Sequence, residues 1–127
     1  MTQSPSAEIS VLPAHLDGEI RLIPLRDVLY CYAEGGRTQM VTPQGELPSR
    51  SSLRELSERL ESARFFRAHR AYLVNLDHVR SIVPWTRNAF SLSLDGRREI
   101  PLSKHKVRAL RDLLGWWPHG TAYFPQT

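Results

Sequence analysis

Cysteine is almost missing from this chain: Cys31 is the single one in 127 residues. An internal disulfide is therefore impossible, as is a zinc site built on cysteine pairs, and the expected compartment is the reducing cytoplasm. Long apolar runs are missing too. No stretch approaches the roughly 20 residues that span a bilayer. The opening MTQSPSAEIS has neither a basic start nor an apolar core, so it does not read as a secretory signal. Phosphate-cradling glycine loops are absent. The histidines, His15, His69, His78, His105 and His119, include no pair at the i, i+4 spacing of a zinc hydrolase. Asp77 and His78 would point to opposite faces of a strand, which spoils them as a base and its orienter. Cys31 fits a small core hydrophobe better than a nucleophile. No enzymatic constellation and no cofactor is expected.

The composition, 41% hydrophobic and 24% charged, is that of one globular domain with room for a modest core. The net charge of +4 says less than its distribution. Residues 1–63 sum to −3, whereas residues 64–111 sum to +8. A half this basic suits a polyanion, because each neutralised phosphate releases counterions. A solvated basic surface is the plain alternative.

Residues 1–17 show no clear periodicity and carry early serines and two prolines, so they read as a tail or linker. Order is expected from about Glu19. Ile20 and Leu22, then Val28, Tyr30 and Tyr32, alternate as strands do, with Pro24 between. Glu34-Gly35-Gly36 predicts a turn, Arg37–Thr42 a strand, Pro43-Gln44-Gly45 a turn and Glu46–Pro48 a short return strand. The period then changes. Ser52-Leu53-Arg54-Glu55 fits a capping box, and Leu53, Leu56 and Leu60 form the stripe of an amphipathic helix over about 52–62. Val79, Ile82 and Val83 suggest another strand. Phe90, Leu92 and Leu94 alternate as a half-buried one, Asp95-Gly96 predicts a two-residue hairpin turn, and Glu99–Leu102 pairs back. Ser103 is expected to cap a last helix bearing Val107, Leu110 and Leu114, with Gly115 as its stop. Residues 116–127 form an aromatic tail with Trp116, Trp117, Tyr123 and Phe124. The class is mainly β with short helices, an α+β arrangement with one covering helix and one C-terminal helix.

A nucleic-acid site needs cations for phosphates and fork-shaped or amide groups for base edges. Arg37, Arg67, Arg70, Arg87, Lys104, His105, Lys106 and Arg108 are candidates. His69, in an apolar stretch, reads as a hydrogen-bonded structural histidine, and Asn75 as a residue that ties down a turn. Arg67, alternating with Phe66, is also placed to pair internally.

The run Phe66-Arg67-x-His69-Arg70-x-x-x-Val74-Asn75-x-x-x-Val79 resembles the signature of LytTR-type DNA-binding domains, the output half of many bacterial response regulators. Tyr32-Ala33-Glu34-Gly35, the Ser52–Leu60 helix and Ile100-Pro101-Leu102-Ser103-Lys104 match the flanking motifs in order and spacing. The resemblance covers most of a domain at 18–115. It implies small antiparallel sheets in an elongated arrangement. Loops, not a recognition helix, would enter successive major grooves of duplex DNA. It carries three places over: Arg37 and Thr38 after the first hairpin turn, Arg70 after the signature histidine, and Lys104 and His105 at the start of the last helix. Arg37, Arg70 and His105 are then expected to read bases, while Arg67, Lys104, Lys106 and Arg108 hold phosphates. The partners implied are double-stranded DNA with repeated half-sites, a second copy of the chain on that DNA, and a receiver or sensor domain in a longer protein. Two rivals remain at this point: a protein-interaction module using the aromatic tail and sheet edges, and single-strand binding by Trp85, Trp116 or Trp117.

Overall fold

The computed structural model describes residues 10–87, 89–95 and 97–116. Val11–Leu16 (β1) and Glu19–Pro24 (β2) form an antiparallel hairpin. Tyr30–Glu34 (β3), Arg37–Thr42 (β4), Gly45–Ser49 (β5), Phe65–His69 (β6) and Tyr72–Asn75 (β7) form a five-stranded sheet in the order β5-β4-β3-β7-β6. Ser81–Pro84 (β8), Phe90–Ser93 (β9) and Glu99–Leu102 (β10) form a third sheet in the order β10-β9-β8. Every pairing is antiparallel. The α-helices are Leu53–Arg59 (α1) and Val107–Leu114 (α2). The expected class, mainly β with short helices, is the class observed.

The central sheet is covered on both faces, and strand alternation sorts its side chains. Cys31, Met40 and Leu73 occupy neighbouring register positions and enter one core with β1, β2 and α1. Tyr30, Val41 and Val74 point the other way, into a second core with β8, β9, β10 and α2. Leu53, Leu56 and Leu60 are buried as their spacing predicts, each contributing about 1.5–3 kcal/mol through lost apolar exposure. The capping box forms in full: Glu55 N–H donates to Ser52 Oγ at 3.0 Å and Ser52 N–H to Glu55 Oε1 at 2.8 Å.

Four local expectations need correction. Residues 11–16 are a strand, with Leu12 and Ala14 buried in the first core, and not a tail. Prolines at 13 and 24 on a two-stranded hairpin hid the alternation, since such edges tolerate them. The α1 helix ends at Arg59, so the predicted span to 62 is too long. The Asp95 hairpin is wider than two residues: β9 ends at Ser93, β10 starts at Glu99, and Leu94 N–H donates to Arg98 O. Its Asp95 carboxylate accepts the N–H groups of Arg97 and Arg98, which hold it below the usual carboxylate range. Finally, Ser103 makes no side-chain cap. Lys104–Lys106 form a single 3-10 turn before α2 begins at Val107, and Gly115 ends α2 in the left-handed region at φ +75°.

Asn75 is the buried polar residue that locks this arrangement. Its Nδ2 donates to Val28 O at 3.0 Å and Leu25 O at 3.3 Å, and its Oδ1 accepts from Asp77 N–H at 2.9 Å. One amide thus ties the entry to β3 to the exit of β7. Asn75→Ala strands these groups inside the protein, and urea unfolding should show a loss of about 2–3 kcal/mol. An unchanged midpoint would deny the residue this role.

Candidate nucleic-acid interface

Two turns lie side by side at one end of the central sheet. The first joins β3 to β4, where Glu34 pairs with Arg37 and Gly35 and Gly36 take φ +61° and +78°. Both central residues of this turn need the left-handed region, which glycine enters without a Cβ penalty. The second joins β6 to β7, where His69 pairs with Tyr72 and leaves Arg70 and Ala71 at the tip. Ala33 N–H donates to Ala71 O at 3.1 Å, which locks the turns together. Arg37 and Arg70, one on each turn, are both exposed.

The third place is brought in by a bulge. The β6–β7 register runs from Phe66↔Val74 to His69↔Tyr72, so one extra residue sits in β6. Within this irregular stretch, Ala68 O accepts Ser103 N–H at 2.7 Å. That bond pins the Lys104–Lys106 turn against the signature strand, with Lys104 and His105 exposed and Lys106 half-buried. Arg108 is exposed on the first turn of α2.

Arg67 works differently from its neighbours. Its Nη2 donates to Arg70 O at 2.6 Å and its Nε to His69 O at 3.3 Å, so the guanidinium clasps the turn that carries Arg70. In this structure it positions that turn. His69 is hydrogen-bonded within the fold as expected: its Nδ1 accepts from Ala71 N–H at 3.1 Å. Behind the turns, Tyr30, Tyr32 and Tyr72 lie with ring centroids 6.0–6.3 Å apart, and His69 meets the Tyr72 ring edge-on. The Tyr32 hydroxyl donates to Glu46 Oε1 at 2.6 Å, and this bond foremost pushes the phenol up to about 12.

Thr38 must be corrected. It is only 7% exposed, on the face of β4 that also carries Met40, so it is not at hand to read a base. Alternation decides this: Arg37 and Thr38 cannot share a face. Beside the turns lies an open groove of about 1120 Å³ whose lining includes Ala33, Thr38 and the start of α1. Arg37, Arg50, Arg54 and Arg67 line it. Arg50 and Arg54 are not among the candidates read from the sequence, and their place beside Arg37 exists only in the fold.

The other candidates are elsewhere. Asp77 pairs with Arg64 Nε at 2.7 Å, while His78 Nε2 lies 2.6 Å from Arg26 O, so the two do not act as a pair. Cys31 is fully buried and its thiol is pushed up to about 12 by burial. Arg87 is exposed on the β8–β9 connection. Trp85 is exposed, with Nε1 donating to Ser91 Oγ at 2.9 Å. Trp116 packs edge-on to Phe90 at 5.4 Å with the Arg111 guanidinium over its ring, so it belongs to this domain's own core. Trp117, His119, Tyr123 and Phe124 lie outside the described residues. Among the described residues, no three of His, Cys, Asp and Glu gather as a metal set, and no helix is long and apolar enough to cross a membrane.

Two measurements probe the turn. Arg67→Ala should cost about 1 kcal/mol of stability and speed amide exchange at Ala71, because two carbonyls lose a charged donor; exchange as slow as in the parent chain would remove Arg67 from this role. The Tyr32 phenol is held protonated in the fold, so its stabilising contribution is full below pH 10 and is lost as pH rises towards about 12. In Glu46→Gln the tyrosinate absorbance should appear at lower pH, and an unmoved titration would contradict the hydrogen bond.

Residues 18–115 match the family model described as the LytTr DNA-binding domain. Similar relatives include the transcriptional regulatory protein YpdB of Escherichia coli K12, 33% identical over 99 residues that make up 77% of this chain and 41% of that protein. The sensory transduction protein LytT of Bacillus anthracis is 26% identical over 109 residues, 86% of this chain and 44% of that one. The chain thus spans less than half the length of either. Among solved structures, the LytTr DNA-binding domain of a putative methyl-accepting/DNA response regulator from Bacillus cereus superposes with a TM-score of 0.78 at 28% identity, covering 86% of this chain and all of that one. With the family model running from β2 through β10 and both helices, this chain belongs to the LytTr DNA-binding domain family.

Proposed function

We propose that the chain reads duplex DNA in sequence-specific fashion for a bacterial transcriptional regulator, with its turns entering the major groove. The observation that carries this reading is the convergence of three exposed basic turns. The Ala33–Ala71 hydrogen bond joins the turns that carry Arg37 and Arg70, and the Ser103–Ala68 bond ties the exposed Lys104–His105 segment to the strand that leads into the Arg70 turn. A rigid framework presenting separate short projections suits successive grooves better than one long helix would, and α2 is only 8 residues long.

Roles follow from side-chain chemistry. Arg37 and Arg70 carry the planar fork that matches the O6 and N7 acceptors of guanine. His105 offers a ring N–H to a base edge. Lys104 is a point charge without that fork and suits a phosphate, as do Lys106 and Arg108. Two copies would bind repeated half-sites, and a receiver or sensor domain would belong to the same longer protein. The transcriptional regulatory protein YpdB and the sensory transduction protein LytT support this reading, since each is more than twice as long as the part this chain matches.

The test is selection of random duplex by the purified chain, then binding to the winner across a salt series. A recovered repeated motif, bound far tighter than random duplex, is the expected outcome. Arg70→Ala should then weaken the selected site by about 1–3 kcal/mol while barely touching random DNA. Lys106→Ala should weaken all sequences alike and lower the salt slope by about one. No enrichment, or binding indifferent to sequence, would overturn the proposal.

A further inference from the structure

The arginine groove has the chemistry of a second anion contact. Its lining carries four guanidinium-bearing residues, Arg37, Arg50, Arg54 and Arg67. One carboxylate, Glu55, is on the lining, and it already accepts Ser52 N–H in the capping box. Arg54 reaches Glu58 at 3.5 Å, but both groups are largely exposed, and such a pair contributes little and is readily exchanged. Arg50 has no ion pair among the described residues, although Asp17 and Glu19 border its other side. The residues between Pro48 and Ser52 add serine hydroxyls at 49, 51 and 52.

Position selects the ligand. Thr38 pairs with Ser49, so the end of β5 lies at the same end of the sheet as the Gly35-Gly36 turn. The groove therefore opens beside Arg37, and Arg67 on its wall is the side chain that clasps the Arg70 turn. A ligand here touches the residue that fixes the reading turn. It must be anionic, extended, and continuous with whatever Arg37 meets. A sugar-phosphate backbone meets all three requirements.

We infer that the groove between the first hairpin turn and the start of α1 holds the DNA backbone flanking the bases read by Arg37, with Arg50 and Arg54 as phosphate contacts. The inference rests on the DNA-reading function proposed above. It extends the interface across the α1 face of the sheet, and it gives Arg67 a second task as the link between backbone contact and reading turn. Because phosphates carry no sequence, the groove raises affinity for every duplex and sets the register in which Arg37 and Arg70 meet bases.

The experiment uses Arg50→Ala and Arg54→Ala in the full chain, each exposed and outside both cores, with thermal melting to verify the fold. Binding is measured on the selected duplex and on random duplex over a salt series, with phosphate-ethylation interference on the selected duplex. Each substitution should weaken both duplexes severalfold and alike, and lower the salt slope by about 0.9. Interference should fade at backbone positions flanking the motif. Arg50→Glu should weaken binding further than Arg50→Ala. If slopes, affinities and interference match the parent chain while Arg70→Ala still loses specific binding, the groove is no DNA contact and this inference alone fails. An acidic protein segment as its true occupant would produce that same result. If the parent chain itself shows no preference among duplexes, the proposed function fails and takes the inference with it.

Discussion

Cys31 and Leu73 face one another across β3 and β7, and that pairing closes a loop of roughly forty residues, the kind of long-range contact whose entropic cost must be offset by burial. Both residues are fully buried. The same two strands supply Tyr30 and Val74 to the opposite core, so one ladder is shared by both hydrophobic layers. Asn75 then fastens the end of β7 to Val28 and Leu25, where a broken ladder would leave buried carbonyls without donors. Without this pairing the Arg37 turn and the Arg70 turn have no reason to be neighbours.

The interface is built from irregularities placed on that regular frame. Two glycines in the left-handed region shape the first turn, and an extra residue in β6 shapes the approach to the second. The turn residues themselves bear charge and face solvent. Their supports are backbone bonds and one committed guanidinium, that of Arg67. Such an arrangement keeps the exposed candidates in place while leaving their side chains solvent-facing, and preorganisation of this kind limits the entropy lost on binding.

Much of this was legible in local pattern. The leucine spacing at 53, 56 and 60 and the Ser52–Glu55 box led directly to α1. Alternation located β4 and β9, because half-buried strands carry period two, and the turn signal at Asp95 pointed to β10 as the returning strand. His69 and Asn75 read as structural because an apolar neighbourhood demands that polar groups be satisfied. Where local pattern misleads, the deciding force is not local. Val11–Leu16 has poor strand chemistry, and it is a strand because Leu12 and Ala14 find a core supplied by residues up to Leu73. Ser103 has the right side chain for a cap, yet its backbone N–H is claimed by Ala68 O and its hydroxyl caps nothing.

Residue order sufficed for the family, the class of fold and the basic character of the candidate readers. These depend on residue type, spacing and charge, which need no third dimension. Tertiary structure alone decided which of those readers are available. It turned Thr38 inward and Arg37 outward, because neighbours on a strand must part. It set Arg67 to holding the turn, because two carbonyls of that turn lay within its reach. It gathered Arg50 and Arg54 beside Arg37, because a groove is made by chain segments that meet only after β4 has paired with β5 and α1 has packed on the sheet.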